Sequence, residues 1–471
     1  MLRVLILVSA LLACGARPAA AQSTSPDVLV TLAEVRGGEW VTEYRFRRSA
    51  PAWLFRRSAN TEADGRAWRP QSWTVETPGV RIERRGPHDV LVGGGGALKR
   101  VRIRIKPYGL PLRADYVPVL TFSDGGQAHY ADQYLVTPLR DLKAADQLPF
   151  DLAQASLESV VGRFVVQSDK PMLVDGKVWR GRAETDLGRN RYVYVGRSPL
   201  LETEALAAVV DPGLPSWLKD EIDRFTPALL AEHARRLGPN AVGRPTIYAG
   251  WGGTENPGAS FNGGALPGLI ILNMRGAKAV ERLPALTDLM RWFLAHEAAH
   301  FWLGETIRVA EGRDGWITEG GADLLAIRAL QSVDPQFNAR AKLQSAVDDC
   351  MELTGAGEAL RAAPERGEHR AQYACGSLLL LAAEAGLRKR QPSADAAVFW
   401  GPLIEGNRKD GVVGPDEWLA AFEGATSDPA LTIRVREFLE QGAPDTRAFL
   451  RDLFDRTGVA YRLASERITL Q

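Results

Sequence analysis

His296-Glu297-Ala298-Ala299-His300 sets two histidines one helical turn apart with a glutamate between them, residue types that hold zinc and activate water beside it. Two of the chain's 6 histidines fall in this pentapeptide. On a helix, positions i and i+4 share a face, so both imidazoles can aim at one ion. Glu297, one step from the first histidine, stays within reach of a water there and is the candidate base. A catalytic zinc site needs a third protein ligand and one open position. Glu319, separated from His300 by 18 residues, is the candidate. It lies in Trp316-Ile317-Thr318-Glu319-Gly320-Gly321-Ala322-Asp323, which reads as the start of a second helix with Thr318 as its cap. Asp323 shares the helical face of Glu319 and would accept the free ring N–H of a ligand histidine, although a carboxylate near a helix start is favoured in any case.

The element that must position the first two ligands is visible in the spacing. Leu289, Trp292, Phe293, His296, His300 and Leu303 recur at helical intervals and predict an apolar, inward-facing stripe. Buried structural histidines would also explain the stripe, but would leave Glu297 a carboxylate close to a core with no partner, which is costly. His88, His129, His233 and His369 have no partner at ligand spacing and read as surface or structural residues.

At 471 residues the chain is too long for one ordinary core. Its formal net charge of +1 gives no electrostatic case for nucleic acid or an anionic membrane. Residues 1–21 read as an export signal: Arg3 supplies the positive start, Val4 to Cys14 the apolar run, and Ala19-Ala20-Ala21 the cleavage site. The expected location is periplasmic or secreted. Leu11-Leu12-Ala13-Cys14 also resembles a lipoprotein signal, which would tether the protein through Cys14. No later segment is long and apolar enough to span a bilayer. Cys350 and Cys375 would then remain, compatible with a bridge in an oxidising compartment or with two buried thiols.

Residues 25–200 read as a β-rich domain, with alternation such as Val101-Arg102-Ile103-Arg104-Ile105 and short runs at Asp89 to Val92 and Arg191 to Val195. Gly93 to Gly96 lack the Lys-Ser/Thr pair and helix of a phosphate loop and read as a hairpin loop. Near residue 205 the texture changes. Residues 205–386 read as a mainly helical catalytic domain, with a helix over Pro215 to Leu237, strands at Arg244 to Tyr248 and Leu269 to Leu272, and a loop or strand edge over Gly252 to Gly258. Residues 387–471 continue as a short helical C-terminal region through Asp416 to Glu423 and Thr446 to Asp455. The fold class expected is therefore α+β and multidomain.

With His296, Glu297, His300 and Glu319 in place, the chain resembles the gluzincin zinc metallopeptidases, which implies a thermolysin-like catalytic domain. Gly252-Gly253-Thr254-Glu255-Asn256 resembles the Gly-x-Met-Glu-Asn motif of the membrane alanyl aminopeptidase and leukotriene A4 hydrolase family. By that resemblance Glu255 would bind a substrate's free amine, while Gly252, Gly253 and Asn256 would line the peptide groove. Tyr373-Ala374-Cys375-Gly376 resembles the family's Tyr-x-Lys-Gly segment, which implies that the Tyr373 hydroxyl bonds the developing oxyanion. The glycyl aminopeptidase family, with the same order of domains, is a close competitor. Thr254 and Cys375 depart from these motifs, and the C-terminal region is shorter than in many relatives.

The resemblance implies one zinc ion per chain, held by His296, His300 and Glu319, with peptides as substrates. The expected activity is an aminopeptidase in which Glu297 takes a proton from water and passes it to the leaving amine. An endopeptidase of similar fold and a non-catalytic peptide-binding scaffold are the alternatives. An intact Glu297 speaks against the scaffold.

Overall fold

Whether the motif helices meet, and what lies over them, depends on how the sheets are ordered. The computed structural model describes residues 25–471 apart from 36–37, 114, 205, 356 and 465–466. The expected export segment, with Cys14, lies outside the described residues. The N-terminal β-rich region is followed by a mainly helical part, as the sequence pattern predicts.

Among the described residues, the N-terminal region holds a nine-stranded and a four-stranded sheet. The larger is mostly antiparallel, and Val28–Glu34 runs parallel to Gly162–Val174 at its centre. Alternation sends Val101, Ile103 and Ile105 into the core while Arg100, Arg102 and Arg104 stay at the surface. Gly93 to Gly96 do not form a hairpin loop. The strand before them, His88–Gly93, belongs to the smaller sheet, and Leu98–Ile105, after them, belongs to the larger, so the glycines carry a crossover between sheets.

The next sheet positions the site. Its strands are β1 (Leu200–Glu202), β2 (Ala207–Val210), β3 (Thr246–Trp251), β4 (Ser260–Leu266) and β5 (Leu269–Arg275), in the spatial order β1-β2-β3-β5-β4. β2, β3 and β5 are parallel neighbours, and β4 returns antiparallel to β5 as an edge strand. β2 and β5 are almost wholly apolar because both faces are covered. Ile247, Ala249, Ile270, Leu272 and Met274 face the helices, while Val209, Tyr248, Leu266, Leu269 and Ile271 pack with Leu120, Phe122, Tyr130, Leu173, Tyr192 and Tyr194 of the N-terminal region. The sheet therefore joins the two parts through one shared apolar layer.

Helices α1 (Ser216–Leu237), α2 (Pro284–Ala299), α3 (Trp316–Val333), α4 (Ala339–Thr354), α5 (His369–Arg388), α6 (Ala396–Asn407), α7 (Pro415–Thr426), α8 (Pro429–Gln441) and α9 (Thr446–Thr457) complete the core. α2 begins on Pro284, whose fixed φ and missing N–H suit the first helical position. Leu289 departs from the expected stripe and is 38% exposed, whereas Met290, Phe293, Leu294 and His296 point inward. α3 starts at Trp316 rather than at a Thr318 cap. Gly315 is its N-cap, and the Thr318 hydroxyl, already inside the helix, donates to Gly315 O. The chain ends in a hairpin, Tyr461–Ala464 with Arg467–Leu470, that the helical pattern does not announce.

Candidate metal and catalytic site

α2 and α3 bring three donors to one point. His296 Nε2 and His300 Nε2 lie 3.0 Å apart, and Glu319 Oε2 stands 3.4 and 3.3 Å from them. A tetrahedral zinc site with bonds of about 2.0–2.1 Å has ligand–ligand edges of about 3.3–3.4 Å; the two edges to Glu319 match this, and the 3.0 Å edge between the histidines is slightly shorter. Both histidines are also held by their other ring nitrogen. His296 Nδ1 lies 2.8 Å from Asp323 Oδ1, and His300 Nδ1 lies 2.9 Å from Leu303 O. His300 Nδ1–H donates to Leu303 O, and the Asp323 carboxylate beside His296 Nδ1 favours a proton on that nitrogen, so both Nε2 atoms are the ones turned toward a cation.

Local sequence explains why Leu303 O is available. α2 ends at Ala299, and the chain reverses through Gly304, whose φ of +150° no side chain tolerates well. A Cβ at Gly304 would also stand 3.1 Å from His300 O. Asp323 is fixed from its far side by Arg370 on α5, at 3.3 Å.

The donor charges also suit a cation. Burial opposes charge on His296, yet Asp323 and Glu319 outweigh it and lift the imidazole to about 10. Burial would raise Glu319, but the two histidines hold its carboxyl well below the usual range. Glu319 Oε2 is buried, and its neighbours at 3.3–3.4 Å are too far for good charge-assisted hydrogen bonds. A divalent ion would satisfy that oxygen. Glu297 is buried beside this group, and burial raises its pKa, with the two histidines and an Ala265 N–H on β4 acting in the opposite direction.

Tyr373 reaches the site through an unusually close helix crossing. Its ring stacks on His296 at 5.5 Å and 20°, and burial followed by the nearby Glu319, Glu297 and Asp323 raises its pKa. α5 approaches α3 this closely because glycines meet: a Cβ on Gly320 would lie 2.3 Å from Gly376 C, and one on Gly376 would lie 2.2 Å from Trp316 O. Cys375 is bridged to Cys350 with Cα atoms 5.0 Å apart, tying α5 to α4 two residues from Tyr373.

Glu255 is not brought to these residues. It is exposed in the loop after β3, where Gly252 N–H donates to Met274 O, Gly276 N–H to Gly253 O and Ala277 N–H to Asn256 O. That loop sits over the Met274 end of β5, whereas Ala265, beside Glu297, pairs with Ile270. Four residues of strand put roughly 13 Å between these levels. Sequence reading missed the groups that do line this side, namely β4, with Gly263 and Gly264, and Tyr116 of the N-terminal region. The Tyr116 hydroxyl donates to Ala265 O at 2.9 Å. Tyr116, Asn262 and Gly263 also help to line a cavity of about 350 Å³, with Glu62 and Asp115 among its acidic groups. The consecutive glycines were a usable signal for β4. Nothing in the local sequence distinguishes Tyr116.

No family profile and no curated protein matches the sequence. Solved structures do match the fold. An aminopeptidase N family protein from Idiomarina loihiensis superposes with a TM-score of 0.62 at 10% identity, covering 90% of this chain and 78% of its own. Native yeast leukotriene A4 hydrolase gives 0.50 at 12%, covering 91% and 71%. An M1 zinc metallopeptidase from Deinococcus radiodurans gives 0.47 at 16%, covering 88% and 93%. The first two establish the architecture as that of the aminopeptidase N and leukotriene A4 hydrolase structures.

Proposed function

We propose that this protein is a zinc metallopeptidase that removes residues from the amino termini of peptides. The observation that carries the reading is the triangle of His296, His300 and Glu319 with Glu297 and Tyr373 facing the same space. A zinc ion held by those three residues would acidify a water and polarise a scissile carbonyl. Glu297 takes the proton of the attacking water and delivers it to the leaving amine. Its burial favours the protonated state it must pass through, while the two histidines favour the charged state from which it starts. The Tyr373 hydroxyl, kept protonated, donates to the oxyanion. Asp323 and Leu303 O orient the imidazoles.

Restriction to amino termini is supported by the fold and by the N-terminal region, whose Tyr116 bonds to β4 at Ala265, beside the base. An endopeptidase is the second reading, favoured by the distance of Glu255 from the metal ligands. Cleavage of free and N-acetylated peptides, with and without chelator, separates them. Loss of cleavage on acetylation supports the aminopeptidase, equal cleavage the endopeptidase, and no cleavage with no bound zinc overturns both. The proposal includes export, on the reading of residues 1–21, and the Cys350–Cys375 bridge supports an oxidising compartment.

A further inference from the structure

We propose that Tyr116, from the N-terminal β region, is a positioning residue that holds the edge strand against Glu297. The inference rests on Glu297 being the base. Ala265 is the residue through which it acts: its N–H lies against the Glu297 carboxylate, and its carbonyl accepts from the Tyr116 hydroxyl at 2.9 Å. One edge-strand residue thus has both backbone groups engaged, its N–H by the base and its carbonyl by a tyrosine from the other part of the molecule.

The strand needs such a hold. β4 is bonded to β5 along one side only, and it carries Gly263-Gly264 immediately before Ala265. Consecutive glycines in an edge strand weaken it, because they add backbone entropy and give no side chain to pack. At Gly264 the missing side chain is also what admits the tyrosine. A Cβ there would stand 3.0 Å from the Tyr116 hydroxyl oxygen and 3.4 Å from its ring, so glycine and tyrosine fit together.

Tyr116 is itself rigidly placed. Its backbone N–H donates to Asp115 Oδ1 at 2.8 Å, and that carboxylate is paired with Arg57 at 2.6 Å and accepts from Gln133 at 3.0 Å. Arg57 in turn donates to Asn190 at 3.0 Å and lies over the Tyr130 ring, against which Tyr116 packs edge-on at 5.7 Å. Arg57, Asp115, Tyr116 and Ala265 therefore form a continuous connection from the N-terminal sheets to the base. The β region is part of the catalytic geometry as well as a cover.

The test is Tyr116→Phe, which keeps the ring and removes the donor. We expect kcat to fall about tenfold, the worth of one neutral hydrogen bond, with KM within about twofold and zinc content unchanged. Amide exchange over residues 260–268 should quicken in the same variant, with or without zinc. Tyr116→Ala, which also opens the cavity wall, should raise KM as well. Native kcat in Tyr116→Phe overturns the proposal, and so does unchanged exchange over β4. If the native protein cleaves no peptide, the peptidase reading fails on its own, and exchange still decides whether Tyr116 holds the strand.

Discussion

The helix pair α2–α3 and the loop at 252–258 were both picked out by motif, and the structure treats them differently. In the helix pair, His296, His300 and Glu319 converge within 3.4 Å, and each histidine is fixed through its second nitrogen. In the loop, Glu255 is exposed, and among the described residues no ion pair or side-chain hydrogen bond reaches it. The helical spacing is a geometric constraint of the backbone itself: residues four apart share a face in any helix. A loop motif carries no such constraint. Its position depends on strand order, and here β5 inserts between β3 and β4, so β4 is what runs past Glu297. Motifs within one helix can be trusted for geometry, whereas motifs at strand ends need the sheet.

The largest effect expected from the helix side is that of Glu297→Gln. It should keep stoichiometric zinc by metal analysis and lower kcat by about 10²–10⁴, the usual worth of a general base. Normal turnover in that variant would remove the helix pair from the chemistry. Tyr373→Phe should lower kcat by about 10²–10³ with KM little changed, as for loss of one oxyanion donor. An unchanged kcat would leave Tyr373 as packing for His296. Gly320→Ala tests the crossing that delivers Tyr373. A Cβ 2.3 Å from backbone must displace α5, so a loss of about 1–3 kcal/mol in urea unfolding is expected, together with weaker turnover.

A smaller effect sharpens the contrast between histidines inside and outside the site. Carboxylates lift His296, whereas burial alone pushes His129 down to about 3, and burial, opposed in part by a bond to Ala295 O, pushes His233 down to about 4. These two stay neutral when folded and take protons when unfolded. Stability is therefore full above about pH 6.5 and falls below it, by at most about 1.4 kcal/mol per pH unit for each imidazole, until the folded pKa is reached. Urea midpoints from pH 7 to 4.5 should show that slope, and His233→Gln should flatten it. The smallest expected effect is that of Glu255→Ala, with turnover of free and acetylated peptides within about twofold of native. A selective loss on free peptides would show that the loop moves to the site when substrate binds, and that loop and helix pair act together.

Much of the scaffold was legible where one side-chain period dominates. The alternation at Val101–Ile105 and the 3.6-residue pattern of Trp217, Leu218, Ile222 and Leu229 gave the right elements in nearly the right places. The errors fall where a local pattern met a tertiary decision. Gly93 to Gly96 have turn chemistry, but whether they close a hairpin or cross between sheets depends on distant strands. The Thr318 cap was wrong by three residues, Gly315 being the N-cap, because helix termini answer to packing as well as to cap chemistry. Tyr116 had no local signal, since its role exists only after residues 149 positions apart have been brought together.

The sequence by itself determined the donor set: two histidines and a glutamate between them on one helical face, with Glu319 and Asp323 one turn apart on the next helix. Covalent geometry and the helical repeat leave those side chains little freedom. Only the tertiary structure decided what stands around them. The contact of Gly320 with Gly376, the turn that aims Leu303 O at His300, and the reach of Tyr116 across β4 all depend on elements that are remote in the chain, and their placement is set by the packing of the whole core rather than by any segment of it.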